Sequence, residues 1–217
     1  MSDNKKFMDD KKITDITPEL LIREYLNNTS ELKSLDYISE MFDTVDRSLF
    51  LGGINSDVAD AIEHIIRIYN IMDKDVPSEE RKPIKLFINS LGGDSVASYE
   101  IIDAIRLSKT PVYTINISWA ASAALEVFMV GHKRYCYPSA TFMFHEGSVK
   151  TDWMDAGKFR DYNNFHENLL NKSKQLYFKY TKMTPEIYKE KRNDDWFFFA
   201  DEAVEYGFVD EILEEFI

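Results

Sequence analysis

One serine, Ser122, stands where an apolar run gives way to a helical pattern. Residues 117 to 125 read ISWAASAAL, so its neighbours are mostly small or apolar. A serine there either caps the helix or is a nucleophile raised on a strand-to-helix turn. Small neighbours would leave room for an acyl group, and a helix start favours a developing negative charge. The G-x-S-x-G pattern of a nucleophile elbow is absent, and the local sequence leaves both interpretations open.

A serine nucleophile needs a base, and the sequence offers four histidines. His64 and His166 fall in predicted helices, and His132 falls in a predicted turn. His145 follows the apolar strand TFMF, and a strand end is where we expect a general base. The alternative for His145 is a buried side chain that a backbone carbonyl satisfies.

An orienting acid for this base could come from the pair that precedes the aromatic run WFFF, Asp194 and Asp195. A carboxylate beside so much apolar surface needs a partner if it is buried. The alternative is a solvated turn that caps the next helix. Asp94, Asp103 and Glu146 remain competitors.

A glycine pair, Gly92 and Gly93 in NSLGGDS, could supply backbone N–H donors. Glycines let the backbone approach a substrate closely and present its N–H groups, as an oxyanion site requires. Glycine pairs also mark ordinary turns, so the motif alone is weak.

The elements around these residues repeat one theme, in which an apolar strand reaches a small-residue turn and then a helix. SLFLGGINSD leads into VADAIEHIIRIYNIM, IKLFINSLGGDS into VASYEIIDAIRLS, and VYTINISWAAS into AALEVFMVG. This alternation predicts an α/β fold with a mainly parallel sheet. Ligands of such sheets bind at the carboxyl ends of the strands, where both the glycine pair and Ser122 would lie.

The rest of the chain is predicted to be largely helical. A fourth strand, SATFMFHEG, is followed by a long amphipathic helix over 156–183 and by a short helix that Thr184 caps. The chain then closes with a turn, a helix that Gly207 ends and a short strand. Residues 18–45 also have a helical pattern.

Composition excludes several functional classes. The net charge of −12 argues against a nucleic-acid surface or an anionic membrane as partner. A single cysteine, Cys136, permits no internal disulfide and is expected to be a packed core or strand residue in a reducing compartment. No signal peptide is expected, because the N-terminus is charged. No membrane-spanning segment is expected either, because Glu126 interrupts the apolar stretch near Ser122. We therefore expect a cytoplasmic protein that needs no metal or cofactor.

With Ser122, His145 and Asp195 in this chain order, the sequence resembles the ClpP family, the proteolytic subunits of the Clp protease. The resemblance runs from about Leu49 to Leu213, most of the chain. It is carried by FLGGINSDVA, LFINSLGGDS, SWAASAA, GHKRYCYPSATFMFHEG and ADEAVEYGFVDEIL. Together these pieces are specific, although each alone is weak.

The resemblance implies a site and a mechanism. Ser122 would be the nucleophile, His145 the general base and Asp195 the orienting acid of a serine endopeptidase. The backbone N–H groups of Gly93 and Ala123 would form the oxyanion hole. Gly92 and Trp119 are candidates for the substrate pocket.

The resemblance also implies a fold and an assembly. The fold would be a crotonase-like ββα spiral with a projecting handle helix, which the 156–183 segment would supply. Residues 1–45 would be a divergent, partly helical N-terminal extension, and 46–217 the peptidase domain. Peptide or protein substrates would be cut inside a homo-oligomeric ring, in the family a tetradecamer of two heptameric rings, that an AAA+ unfoldase feeds.

Several positions depart from the family pattern. Leu91 replaces a usual proline, and Ser118 and Trp119 replace a Gly-Met pair. The segment GSVKTDWMDAG has fewer glycines than usual, and Asp194 replaces an arginine that links subunits across the ring contact. Two other interpretations remain open. The altered region around Asp194 would suit a structural ring subunit with weak activity, and the fold would also suit a crotonase-like acyl-CoA enzyme that needs no serine.

Overall fold

The computed structural model describes residues 46–147, 153 and 155–217, so the predicted extension over 1–45 lies outside the described residues. The first half of the described chain alternates strands and helices: β1 Ser48–Ile54, α1 Ser56–Met72, β2 Ile84–Gly93, α2 Ser95–Leu107, β3 Val112–Ala121 and α3 Ala123–Met129. The second half contains β4 Lys133–Cys136, β5 Thr141–Phe144, α4 Ala156–Tyr180, α5 Pro185–Lys191, β6 Trp196–Phe199, α6 Ala200–Glu205 and β7 Glu211–Ile212.

The strands form one sheet in which β3 is the branch point. The main path runs β1-β2-β3-β4-β7, and all these neighbours are parallel. The first part of β3 pairs with β4, whereas its last part, from Trp119 to Ala121, pairs with β5. The mainly parallel sheet predicted from the alternating pattern is confirmed, and the end of β3 lies beside β5.

Two short strands are missing from the sequence interpretation. The predicted fourth strand is in fact β5, because β4 precedes it where only a turn at His132 was expected. The run WFFF, placed next to a turn, is the strand β6 and pairs antiparallel with β5. Both strands have four residues, too few for a clear alternating pattern.

The helices that follow β1, β2 and β3 bury apolar faces in a common core. α1 and α2 pack against each other, and α3 is buried between α2 and the sheet. Asn55 caps α1 and Asp94 caps α2 through their side-chain oxygens. These caps satisfy N–H groups that a helix start leaves without intrahelical partners. The repeated theme in the sequence therefore marks the core of the molecule.

The long helix α4 ends at Tyr180, three residues before the predicted limit. Its second half packs on the body, where the buried Tyr177 ring meets Phe144 edge to face at 4.9 Å. Its first half is largely exposed and presents Phe159, Tyr162 and Phe165 to solvent. The helix therefore projects from the core over its first turns.

A single guanidinium fixes the end of α4 to the final turns. Arg134 of β4 donates to the carbonyl of Tyr180 at 2.7 Å and to that of Gly207 at 2.8 Å, and it also pairs with the carboxylate of Asp210. Three segments that are distant in the chain therefore meet at one side chain.

Candidate active site

Ser122 lies in a strained turn between β3 and α3. Its backbone has φ 55° and ψ −129°, an uncommon conformation for a residue with a side chain. It occupies the N-cap position, but its side chain makes no capping hydrogen bond. Its N–H group donates to the Met143 carbonyl at 2.9 Å, which ties the turn to β5. The helix-cap interpretation of Ser122 is therefore wrong.

The hydroxyl of Ser122 instead contacts His145. Ser122 Oγ lies 2.7 Å from His145 Nε2, within hydrogen-bond distance. The pairing of Ala121 with Met143 explains this contact, because it brings the end of β3 and the residues after β5 together. A serine and an imidazole at this distance can exchange a proton.

The other nitrogen of His145 faces Asp195. His145 Nδ1 lies 3.3 Å from Asp195 Oδ1, and the aspartate side chain is 58% exposed. In the antiparallel register of β5 and β6, Phe144 pairs with Trp196, so one further step sets His145 opposite Asp195. Asp194 is one residue further from β6 and lies in a bend, where its N–H group donates to the Lys191 carbonyl. The register thus explains why the second aspartate of the pair meets the histidine.

The competing acids have other partners. Asp94 accepts from the N–H groups of Val96 and Ala97. Asp103 pairs with Arg106 on the exposed side of α2. Glu146 follows the histidine directly but accepts a hydrogen bond from the Tyr188 hydroxyl at 3.1 Å.

The glycine pair lies directly against the serine turn. Gly92 has φ 101°, and a Cβ at this position would lie 2.9 Å from Ser122 Cβ and 3.1 Å from the Ala123 nitrogen. Gly93 has φ 152°, and a Cβ there would collide with the Ile54 carbonyl. Only glycine permits this approach of the backbone to the serine. The turns that carry Gly93 and Ala123 are therefore neighbours.

A small cavity of about 40 Å³ opens beside the serine and histidine. Residues from α2, α3, α4 and the loop after β5 line it: Ser95, Tyr99, Ser122, Ala123, Glu126, His145, Glu146, Gly147, His166, Leu169, Leu170 and Ser173. This lining does not include the two predicted pocket residues. Gly92 adjoins the serine from the other side, and Trp119 packs edge to face on Phe197 at 6.3 Å.

Glu126 is a member of this cavity that the sequence interpretation missed. Its Oε1 accepts a hydrogen bond from the Ser173 hydroxyl at 2.5 Å, and desolvation by burial raises the pKa of its carboxyl to about 7. The side chain is packed deeply but keeps some accessible surface. A carboxylate four residues after Ser122, on a helix otherwise apolar after its alanines, was the signal that could have identified it.

Three of the remaining candidates, His64, His132 and Cys136, lie outside the lining of this cavity. His64 is on α1, and His132 Nδ1 accepts from the Val112 N–H group at 3.1 Å. His166 lies on α4 and lines the cavity. Cys136 is a buried residue of β4, as expected, and burial raises the pKa of its thiol to about 12.

Two kinds of feature are absent from the described residues. Among residues 46–147, 153 and 155–217, no cluster of three or more histidine, cysteine or acidic side chains could hold a metal ion. Within the same residues, no helix has the length and apolar character needed to cross a membrane.

Comparison with known proteins identifies relatives over most of the chain. The chain is 27% identical to the ATP-dependent Clp protease proteolytic subunit of Deinococcus radiodurans over 177 residues, 78% of this chain and 81% of the relative. It is 29% identical to ATP-dependent Clp protease proteolytic subunit 2 of Treponema pallidum over 174 residues, 77% and 81% of the two chains. It is 30% identical to ATP-dependent Clp protease proteolytic subunit 1 of Bifidobacterium longum over 188 residues, 84% and 76% of the two chains.

The sequence model of the Clp protease family matches residues 28–216. This match confirms the resemblance read from the motifs and the ClpP-like α/β fold class. The chain belongs to the Clp protease family.

Proposed function

We propose that this chain is a serine endopeptidase subunit that hydrolyses peptide bonds with Ser122, His145 and Asp195. One observation carries the proposal: His145 Nε2 lies 2.7 Å from Ser122 Oγ, while its Nδ1 lies 3.3 Å from Asp195. This order of contacts is the one that a serine–histidine–aspartate mechanism uses. Family membership and the names of the relatives, all proteolytic subunits, support the same reaction.

The proposed mechanism begins with attack by Ser122 Oγ on the scissile carbonyl carbon. His145 Nε2 takes the hydroxyl proton, and Asp195 holds the imidazole and stabilises its protonated form. The N–H groups of Gly93 and Ala123 donate to the oxyanion of the tetrahedral intermediate. The imidazolium then gives its proton to the leaving amine, and water hydrolyses the acyl-enzyme by the same route.

The strain at Ser122 fits this role. Backbone conformations that cost free energy persist where surrounding structure holds them, and they cluster at active sites. Here the Met143 carbonyl anchors the turn, and Gly92 leaves space beside it. The strained turn keeps the hydroxyl away from the helix N–H groups and directed at His145.

We also propose that the chain acts in the cytoplasm as a homo-oligomeric ring, with residues 46–217 as the peptidase domain and 1–45 as an extension. Phe159, Tyr162 and Phe165 are 49%, 41% and 52% exposed and recur every three residues along α4. Such a row of aromatic side chains suits contact with a second copy. We propose two stacked heptameric rings, a tetradecamer, and an AAA+ unfoldase that delivers unfolded polypeptides, since the relatives are named as ATP-dependent.

Intact mass after treatment with a fluorophosphonate tests the active site. We expect one adduct on the wild-type chain and none on Ser122→Ala, because only an activated serine reacts at an appreciable rate. A folded, assembled wild-type chain without an adduct would contradict the peptidase proposal and favour a structural ring subunit. Hydrolysis of a peptide or an acyl-CoA thioester that survives Ser122→Ala would favour the acyl-CoA enzyme instead.

A further inference from the structure

The cavity beside Ser122 has two different sides. The serine and histidine form one side, and α4 forms the other with the half-buried Leu169 and Leu170 and the buried Ser173. Glu126 hydrogen-bonds to Ser173, which lines the same cavity, so its carboxylate lies close to the α4 wall. The cavity therefore contains apolar contacts along its wall and an acidic group beyond them.

The position of Glu126 relative to Ser122 sets the reach of an occupant. The Glu126 N–H group lies 3.4 Å from the Ser122 carbonyl oxygen, so the carboxylate is one helical turn further on. One turn advances about 5 to 6 Å along the axis. Ser122 and Glu126 line the same cavity, so this space is within reach of the side chain of a residue whose carbonyl carbon lies at Ser122 Oγ.

Lysine has the shape and charge that this cavity can accept. Its four-carbon stem packs against apolar surface while its ammonium, a compact point charge, seeks an acceptor. The free volume of about 40 Å³ corresponds to only a few water molecules, which favours a slender chain over an aromatic ring. The net charge of −12 would also concentrate cationic peptides near the protein.

We propose that this cavity is the subsite for the residue whose carbonyl Ser122 attacks, and that Glu126 makes it select lysine. This inference rests on the proposed peptidase function, from which it takes the position of the scissile carbonyl. The Glu126 carboxylate accepts a hydrogen bond from the ammonium, and Leu169 and Leu170 contact the stem. Burial of the pair from bulk water strengthens the attraction relative to an exposed ion pair.

Product-like peptides test the subsite without any turnover. The full-length Ser122→Ala chain would be titrated by calorimetry at pH 8 with acetyl-Ala-Ala-Lys and with acetyl-Ala-Ala-norleucine, which has the same stem without the ammonium. We expect the lysine peptide to bind at least about tenfold more tightly. Equal affinities, or a tighter norleucine complex, would overturn the proposal.

Two matched glutamine variants identify the responsible acid. Glu126→Gln in the Ser122→Ala background keeps the shape and can still accept from Ser173, and we expect it to abolish the lysine preference. Glu146 also lines the cavity but is bonded to Tyr188, so Glu146→Gln is expected to retain the preference. Loss of the preference in Glu146→Gln, or its survival in Glu126→Gln, would show that Glu126 does not select lysine.

The same substrates separate this inference from the peptidase proposal. On the wild-type chain, the ratio of kcat/KM for lysyl and norleucyl coumarin amides should fall at least about tenfold in Glu126→Gln. Fluorophosphonate labelling without a lysine preference would retain the peptidase and overturn the subsite. A Glu126-dependent lysine preference in binding without any labelling would contradict the peptidase proposal and would leave a lysine-binding cavity that is not a subsite for cleavage.

Discussion

The turns after β2 and after β3 hold equivalent places in the fold but use their polar side chains differently. Asp94 has extended backbone, and its carboxylate accepts from two N–H groups of α2 at 2.7 and 2.8 Å. Ser122 has φ 55°, makes no cap and lies 2.7 Å from His145. A polar side chain that caps its helix is satisfied and inert. One that turns away leaves the helix uncapped and becomes available for chemistry.

Ser122→Ala should have the largest effect on activity and tests the turn after β3, where the polar side chain does not cap its helix. We expect peptide hydrolysis to fall about 10³-fold or more, because the nucleophile is lost. The free energy of unfolding should change by less than about 0.5 kcal/mol, since the hydroxyl caps nothing. A fluorogenic peptide assay and urea unfolding at one protein concentration measure the two quantities. A clear loss of stability with activity retained would restore the helix-cap interpretation.

Asp195→Asn should give the second largest effect. The amide would hold His145 in the wrong tautomer and could not stabilise its charged form, so we expect kcat/KM to fall about 10² to 10⁴-fold. Asp194→Asn is the matched control, because the β5–β6 register sets only Asp195 opposite His145, and it should retain activity within about threefold. Equal losses in both variants would mean that the register argument is incorrect. The pH profile of kcat/KM for each variant checks whether the effect acts through the histidine.

Glu126→Gln should stabilise the protein in a pH-dependent way. Burial raises the pKa of this carboxyl from 4.5 to about 7, so the folded chain binds more protons than the unfolded chain between these values. The free energy of unfolding therefore falls as pH rises from about 4.5 to about 7 and stays low above that range. Glutamine removes this cost, and we expect a gain of about 1–3 kcal/mol at pH 8 and little change at pH 5.

The difference in the free energy of unfolding between wild type and Glu126→Gln separates the contribution of this carboxyl from those of its titratable neighbours. Those neighbours are Tyr99 of α2, His166 and Tyr177 of α4, His145 and Glu146 after β5, and Tyr188 of α5. Urea unfolding at both pH values measures the gain. A gain of equal size at pH 5 and pH 8 would show that the buried charge is not its cause.

Asp94→Ala should have the smallest effect of these variants and tests the turn after β2, where the side chain does cap its helix. Loss of the cap on α2 should lower the free energy of unfolding by about 1 kcal/mol. Activity should fall only modestly, because Asp94 contacts its own helix rather than the reacting groups. Asp103→Ala, an exposed position on the same helix, is the control. If Asp103→Ala were as destabilising as Asp94→Ala, the cap would not explain the loss.

The core of the fold was predictable because its signals are local. Each of the three strand-to-helix turns follows an apolar run and precedes a helical pattern, and the structure has a strand and a helix at each. β4 and β6 were not predictable, because four residues cannot show a period and their stability comes from neighbours distant in the chain. β4 contains two charged residues, Lys133 and Arg134, which hide its buried second half.

The residues of the candidate site divide in the same way. The sequence could not decide whether Ser122 is a helix cap or a nucleophile. The answer depends on the backbone angle at Ser122 and on the position of β5, and the local sequence specifies neither. The choice between Asp194 and Asp195 depends on the register of β6, a strand that was missed. Glu126 was noted only as an interruption of an apolar run. Its hydrogen-bond donor is Ser173 of α4, which is distant in the chain and therefore not evident from the local sequence.

The contacts of Arg134 have a consequence for how the molecule opens. Because one guanidinium holds Tyr180, Gly207 and Asp210 together, detachment of any one of these segments leaves a largely buried donor of Arg134 with fewer partners, which costs free energy. The base of α4 and the final turns should therefore exchange their amide hydrogens as one cooperative unit. The exposed first half of α4 lies outside this unit and should exchange faster. The helix can then fray at its projecting end while its root stays closed.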